Sequence, residues 1–391
     1  MPVIAADTDE NLNAAYSVCV AKSRTNTTRL ADQPMSGTFA TDGNYFRFHE
    51  GFFDIGNWTS SFFTGMSLLD FEASRDLDLL KEINRLGDVY REKVSSRAEN
   101  TMHDLGFLYS LYSVGLYKLT GNLDDRRTAL QTADQLAKRY VGKGGYIRAW
   151  GRMEDESTDY AGLAIIDCMM NLPLLFWASE ETGNRFYYHI ACRHADTTLA
   201  NFVRDDDSVY HAFRFDLKTG VPAGGDNYCG YGVETHWARG ATWAIYGFAL
   251  AYRYTRDPRY LDASLRVAKQ FVSLLDDQVV PVWDFRLTAD MPPLLDTSAA
   301  AIAVCGLQDL LDHLSGETDL KESADSLLKV LCARYINDDP ECPGILKDAQ
   351  VGDGLIPGKN FYLARNVYTS WGDYYLMEAL ARRLHGMKSY W

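Results

Sequence analysis

Apolar positions along the chain fall into two kinds of segment that alternate from one end to the other. The first kind spaces its apolar residues three and four apart with charges between them: Asn11 to Lys22, Asp76 to Val94, Leu123 to Tyr140, Phe186 to Val203, Tyr260 to Leu275 and Leu320 to Tyr335. That spacing predicts amphipathic helices with one buried stripe. The second kind is apolar nearly all round: Trp58 to Phe71, His103 to Leu119, Tyr160 to Ala178, Trp237 to Tyr254, Thr297 to Leu314 and Trp371 to Leu384. A helix apolar on every side is buried on every side. The turns Lys118-Leu-Thr-Gly-Asn122, Glu181-Thr-Gly-Asn184, Tyr254-Thr-Arg-Asp-Pro258 and Leu314-Ser-Gly-Glu-Thr318 carry the residues that stop one helix and cap the next. Six half-exposed helices alternating with six buried ones predict an all-α protein, an (α/α)6 barrel of six helical hairpins. No linker or charge-run boundary interrupts the pattern, so one catalytic domain over residues 1–391 is expected. A β-hairpin is expected on one rim at Ser208 to Asp216, turning at Lys218-Thr-Gly220.

Composition narrows the class. The net charge of −14, with no basic run, argues against nucleic acid and anionic membranes as partners. No apolar stretch approaches the length of a membrane span. The N-terminus, Met1 to Glu10, lacks the basic start and apolar run of a signal peptide, so a cytoplasmic protein is expected. Seven scattered cysteines without a Cys-x-x-Cys pair read as buried thiols rather than disulfides or a zinc site. Nucleotide-binding and metalloprotease motifs are absent, and no cofactor and no metal are expected. The 24 Tyr and 8 Trp supply ring faces that either stack on sugars or fill the core.

If the inner helices are buried, their polar residues need a reason. These residues gather where the inner helices open: Trp58, His103-Asp104, Asp159, Arg239 with Trp243, Asp296-Thr297-Ser298 and Trp371-Gly372-Asp373. The openings of parallel inner helices share one end of the barrel, so these groups converge there. Asp296 reads chiefly as a helix cap, while Asp104 and Asp373 could each be a cap or a functional carboxylate. The run Asp205-Asp206-Asp207 reads as a solvated turn, and His189, His194, His313 and His385 carry no signal. Asp167 stands apart. It reads as mid-helix between Ile165-Ile166 and Met169-Met170, where no cap is needed and a carboxylate is costly. Burial should raise its pKa towards what a general acid requires. Arg239 and His211 would supply positive charge for a substrate carboxylate.

Five stretches taken in order resemble the unsaturated glucuronyl hydrolases, glycoside hydrolase family 88. They are His103-Asp-Leu-Gly-Phe107, Ile166-Asp-Cys-Met-Met-Asn-Leu-Pro-Leu174, Trp237-Ala-Arg-Gly-Ala-Thr-Trp-Ala-Ile-Tyr-Gly-Phe248, Trp283-Asp-Phe285 with Asp296-Thr-Ser-Ala-Ala-Ala301, and Trp371-Gly-Asp-Tyr-Tyr375. The resemblance implies an (α/α)6 barrel that acts, as monomer or homodimer, on oligosaccharides ending in a 4,5-unsaturated uronate. Members of the family hydrate the C4=C5 vinyl ether instead of displacing at the anomeric carbon. By the same resemblance Asp167 is the acid/base and Asp104 the second carboxylate. Trp58, His103, Trp150, His211, Arg239 and Trp243 match sugar-binding positions. Cys229 stands where the family has Gln, Gly240-Ala-Thr-Trp243 replaces Gly-Gln-Ala-Trp, and His236 replaces a small hydroxyl residue. Cys229 and His236 are therefore expected to alter recognition. The loop Lys347 to Arg365 differs from the Ser/Lys pattern with which some members accept sulfated sugars. Other readings are the sister hydrolase acting on unsaturated galacturonyl-rhamnose, a sugar epimerase or isomerase using His103 and His211, and a saccharide-binding protein without catalysis.

Overall fold

The computed structural model describes residues 8–31, 37–40, 45–47, 50–275, 277, 279–287, 293–352 and 366–391. Residues 1–7, where the N-terminal reading begins, and 353–365 of the Lys347 to Arg365 loop lie outside the described residues. The inner helices pack side by side in a closed ring. Ser61–Ser74 touches the run from Leu105 to Thr120, then come Leu172–Thr182, Ala238–Thr255, Thr297–Leu311 and Ser370–His385, which returns to the first. The outer helices Thr8–Ala31, Leu123–Ala137, Arg185–Asn201, Pro258–Ser273 and Thr318–Arg334 each cover a seam between two inner ones. At the remaining seam, Tyr109 and Tyr112 donate their hydroxyl hydrogens to the carbonyls of Tyr90 and Ile83 on the outer layer. This is the (α/α)6 barrel expected from the alternation. Among the described residues no helix is long and apolar enough to cross a membrane.

Three of the four hairpin turns act as read, while at Leu314 to Thr318 Glu317 precedes the next helix without a capping bond. Gly121 and Gly183 end their helices in the left-handed conformation, and Asn122, Asn184 and Asp257 accept hydrogen bonds from the next helix's first amides. Asp76 to Val94 departs from a single helix: it is two, Leu77–Asn84 and Gly87–Ser95, with tight bonds at Arg85 and Leu86 between them. The second inner helix opens into a π-turn at Ser110–Val114, where the Thr64 hydroxyl of the neighbouring helix donates to the Leu111 carbonyl. The run Asp205 to Asp207 is a surface turn whose Asp206 and Asp207 pair with Arg286 and Arg266.

The third inner segment differs most, and it carries Asp167. Tyr160 to Ala178 is not one helix. Leu163–Ile165 is a strand, Ile166–Met170 a 3-10 turn, and the α-helix begins only at Leu172. Pro173 explains the boundary, because proline fits the first turn of an α-helix and disrupts any later one. The strand joins the expected hairpin, Ala212–Phe215 with Pro222–Asp226, in a three-stranded antiparallel sheet on the rim. Asp167 therefore lies at the opening of its helical segment rather than two turns inside it.

Small residues let the inner ring close. A Cβ on Gly247 would lie 2.3 Å from Met169 Cβ and 3.1 Å from its carbonyl carbon. Gly247→Ala is expected to destabilise the protein by about 1–3 kcal/mol through overpacking, despite alanine's better helix propensity. It should lower activity too, since the displaced Met169 lies two residues from Asp167. A Tm equal to or above the parent's would contradict the contact.

Candidate active site

A cavity of about 330 Å³ opens at the end of the barrel where the inner helices begin. The rim sheet sets its chemistry. The Ile166 amide donates to the His211 carbonyl at 3.0 Å, which places Asp167 beside the His211 ring. Asp167 lines the cavity with 17% of its side chain exposed, and His211 Nε2 is 3.9 Å from its Oδ2. The His211 tautomer follows from the loop that crosses behind it. The amides of Tyr228 and Cys229 both donate to Nδ1, at 3.0 and 3.1 Å, so the ring proton resides on Nε2 and faces the carboxyl. Burial pushes the Asp167 pKa up to about 7; the Arg239 charge, the local amide and the Trp243 indole pull against that rise.

The second carboxyl, Asp104, lines the same cavity. Asp104 precedes the helix Leu105–Tyr109 but makes no capping bond, which leaves its side chain uncommitted to the helix end. It is buried, and burial followed by the nearby Asp167 charge raises its pKa well above the usual carboxylate range. Asn171 and Arg139 oppose that rise. His103 Nε2 lies 3.4 Å from Asp104 Oδ1, and burial followed by the Arg139 charge holds the ring neutral. Asn171 ties the two acid-bearing segments together, accepting the Phe107 amide at 2.8 Å while its own amide reaches the Asp167 carbonyl at 3.4 Å. Gly106 permits this approach, because a Cβ there would lie 2.3 Å from Asn171 Cα.

Aromatic rings and one guanidinium complete the walls. Trp58 stacks on Trp371 with centroids 5.0 Å apart, and Trp150 stands edge-on to Tyr228 at 4.8 Å. Arg239 sits over the Trp237 and Trp371 rings at 4.7 and 5.2 Å. Its Nη1 donates to Asp296 Oδ2 at 2.9 Å and to the Gln350 carbonyl, and its Nη2 to the Val351 carbonyl at 2.9 Å. Asp296 also caps its own helix through the amides of Ser298 and Ala299. The Arg239 charge thus acts from within the wall, at 3% exposure.

Of the residues singled out by sequence, Trp58, His103, Asp104, Trp150, Asp167, His211, Cys229 and Arg239 meet at this cavity. Trp243 does not line it. One turn deeper than Arg239 on the same helix, it is fully buried against Phe107 and Tyr375. His236 is also fully buried, against Phe285 and 3.4 Å from Gln270 Nε2, and is not part of the wall. Asp159 is exposed and pairs with Arg214. Asp373 resolves as structural: it accepts from the Ile345 and Leu346 amides and the Tyr45 hydroxyl. Its pKa is also raised by burial to about 7, so a shifted carboxyl marks a site only where a cavity exposes it. Sequence reasoning missed Tyr228 and Asn171 as contributors. Tyr228 arrives on a loop without periodicity, whereas a polar Asn171 four residues after Asp167 in an apolar run was a readable signal. Among the described residues no group of three His, Cys, Asp or Glu is placed to hold a metal ion.

An unsaturated chondroitin disaccharide hydrolase of Streptococcus pyogenes serotype M1 is 36% identical over 348 residues, covering 86% of this chain and 84% of its own. An unsaturated glucuronyl hydrolase of Bacillus sp. (strain GL1) is 34% identical over 346 residues, covering 86% and 89%. The crystal structure of an unsaturated glucuronyl hydrolase from Bacillus sp. GL1, described as responsible for the degradation of glycosaminoglycan, superimposes with a TM-score of 0.88. Its sequence is 31% identical, over 97% of this chain and 98% of that one. Residues 35–384 match Glycosyl Hydrolase Family 88, a span that takes in the whole inner ring and every carboxyl and ring that meets at the cavity. The chain belongs to that family.

Proposed function

We propose that this enzyme removes a 4,5-unsaturated glucuronic acid from the non-reducing end of lyase-generated acidic oligosaccharides, with Asp167 as general acid and then general base. The observation that carries the reading is one cavity-facing carboxyl with a pKa near 7, set among aromatic rings and sharing its cavity with a second carboxyl whose pKa burial also raises. Asp167 in its acid form gives a proton to C4, and the positive charge that develops is shared by C5 and the ring oxygen. The resulting Asp167 carboxylate takes a proton from water as the water oxygen bonds to C5. The hemiketal so formed opens to a C5 ketone, which leaves a hemiacetal at C1. That hemiacetal breaks down to an aldehyde and the released neighbouring sugar. Two carboxylates flanking an anomeric carbon are not required, so their separation does not predict a stereochemical outcome.

Asp104 and the Nε2–H of His211 hold the sugar and the water against Asp167, and the Arg239 charge attracts the uronate carboxylate. Trp58 and Trp150 offer ring faces to the sugar C–H groups. All seven cysteines are unpaired, which fits the reducing conditions of the cytoplasm.

The test follows ultraviolet absorbance of the C4=C5 uronate in disaccharides from chondroitin, hyaluronan, heparin, gellan and rhamnogalacturonan. Loss of absorbance with release of the neighbour supports hydration, and the fastest substrate names the parent polymer. No loss on any member by the folded protein rejects the reading. Within it, the departures at Cys229 and His236 separate. Cys229 lines the cavity, so Cys229→Gln is expected to change KM and the order of substrates. His236→Ser is expected to cost about 1–2 kcal/mol of stability from lost packing and leave that order unchanged. A reversed pattern in KM values across the panel would contradict the placement of both residues.

A further inference from the structure

Arg139 lies just beyond the outer helix Leu123–Ala137 and is 3% exposed, yet no carboxylate pairs with it among the described residues. Its donors go to main-chain carbonyls instead. Nε reaches the Arg148 carbonyl at 2.9 Å, Nη1 the Thr101 carbonyl at 3.0 Å, and Nη2 the carbonyls of Ala149 and Gly151, each at 3.0 Å. These acceptors belong to two loops. One runs from Thr101 into His103 and Asp104, and the other from Arg148 through Trp150 to Gly151. The His103 amide adds a bond to the Ala149 carbonyl at 3.1 Å.

We propose that Arg139 is a positioning residue of this site: its guanidinium locks the loop bearing His103 and Asp104 to the loop bearing Trp150. The second carboxylate and one wall of the cavity thereby keep a fixed separation. The inference rests on the hydration reaction proposed above. The planar fork meets four carbonyls on the two loops at once, one more than the three hydrogens of an ammonium can serve, and holds them in a fixed plane. A buried cation without a counter-anion is costly, and four carbonyls offset that cost only in part. The charge has a use here, because it favours the ionised form of Asp104 and adds to the burial that keeps His103 neutral, as do His194 and His211. The other titratable groups acting on Arg139 are Arg148, Cys168 and Glu154, and the Asp167 charge acts on Asp104 as well.

The test compares wild type, Arg139→Gly and Arg139→Lys in the absorbance assay across pH, with Tm and hydrogen exchange measured in parallel. Arg139→Gly is expected to lose about a hundred-fold in kcat/KM, the scale of an ångström-sized misplacement. Added guanidinium ion should restore a large part of it, and the pH profile should move because the charge beside Asp104 is gone. Arg139→Lys should lower kcat while keeping the wild-type pH profile. In both variants, amides 101–104 and 148–151 should lose protection together. Wild-type kcat, KM and pH profile in Arg139→Lys overturn the proposal, as does a loss in Arg139→Gly that guanidinium does not rescue. If Arg139→Gly does not fold, Arg139→Lys decides alone. If wild type itself is inactive on the whole panel, the reaction is wrong, and hydrogen exchange still decides whether the two loops are clamped.

Discussion

Asp167→Asn is expected to lower turnover by about 10²–10⁴-fold, the contribution of a positioned acid–base group, while substrate binding survives. The amide keeps the shape of the carboxyl and cannot deliver a proton to C4. Direct titration of the variant with an unsaturated disaccharide checks the binding half, and single-turnover absorbance checks the chemical half. Turnover close to the parent's would remove Asp167 from the acid role. The same substitution carries a signature in stability. Asp167 has a folded pKa of about 7 against about 3.9 for an unfolded aspartate. A carboxyl raised in this way favours the native state below the unfolded value, and that advantage is lost as pH rises through about 7. Above pH 7 the buried charge costs up to about 4 kcal/mol, at about 1.4 kcal/mol per pKa unit, less what the cavity's solvent screens. Asp167→Asn should therefore melt higher than the parent at pH 8 and equal to it near pH 4. In the parent, kcat/KM should fall as pH rises through about 7, since the proton to be donated is then gone.

Arg239→Met is expected to have the second largest effect, felt in stability as well as rate. It breaks a buried pair with Asp296 and leaves that carboxylate with only its amide and hydroxyl donors. Breaking such pairs from one side costs about 3–5 kcal/mol. It also removes the charge that favours ionised Asp167, so the alkaline limb of kcat/KM should move to higher pH, while KM for uronate substrates rises. Arg239→Met with Asp296→Asn should recover part of the lost Tm and none of the KM. An alkaline limb that stays in place in the single variant would show that Arg239 does not set the Asp167 pKa.

Much of this site was readable before any coordinates, for a reason that lies in the barrel itself. Inner helices of a closed ring bury everything but their openings, so polar groups at those openings have one place to go. Trp58, His103, Asp104 and Arg239 were found in that way. Asp167 is legible in the sequence by its burial but not by its place in a helix. Its burial was read correctly from its apolar neighbours, but its helix begins only at Leu172, as Pro173 would have indicated. Trp243, expected at the sugar, lies off the cavity wall, since a residue four positions along from Arg239 lies one turn further into the core.

Helical hairpins, their caps and their buried stripes depend on residues within a few positions of one another, and such properties survive in a sequence without its fold. The state of each group at the cavity depends on neighbours that are remote in the chain. The Asp167 pKa is set by burial and by Arg239, and the His211 tautomer by amides of the loop at Tyr228 and Cys229. The Arg239 fork is held by Asp296, Gln350 and Val351, and the two loops of the cavity wall by Arg139. Local periodicity produced the barrel and pointed to its open end; only closing the ring brought these partners close enough for burial and charge to turn an ordinary aspartate into an acid poised near neutral pH.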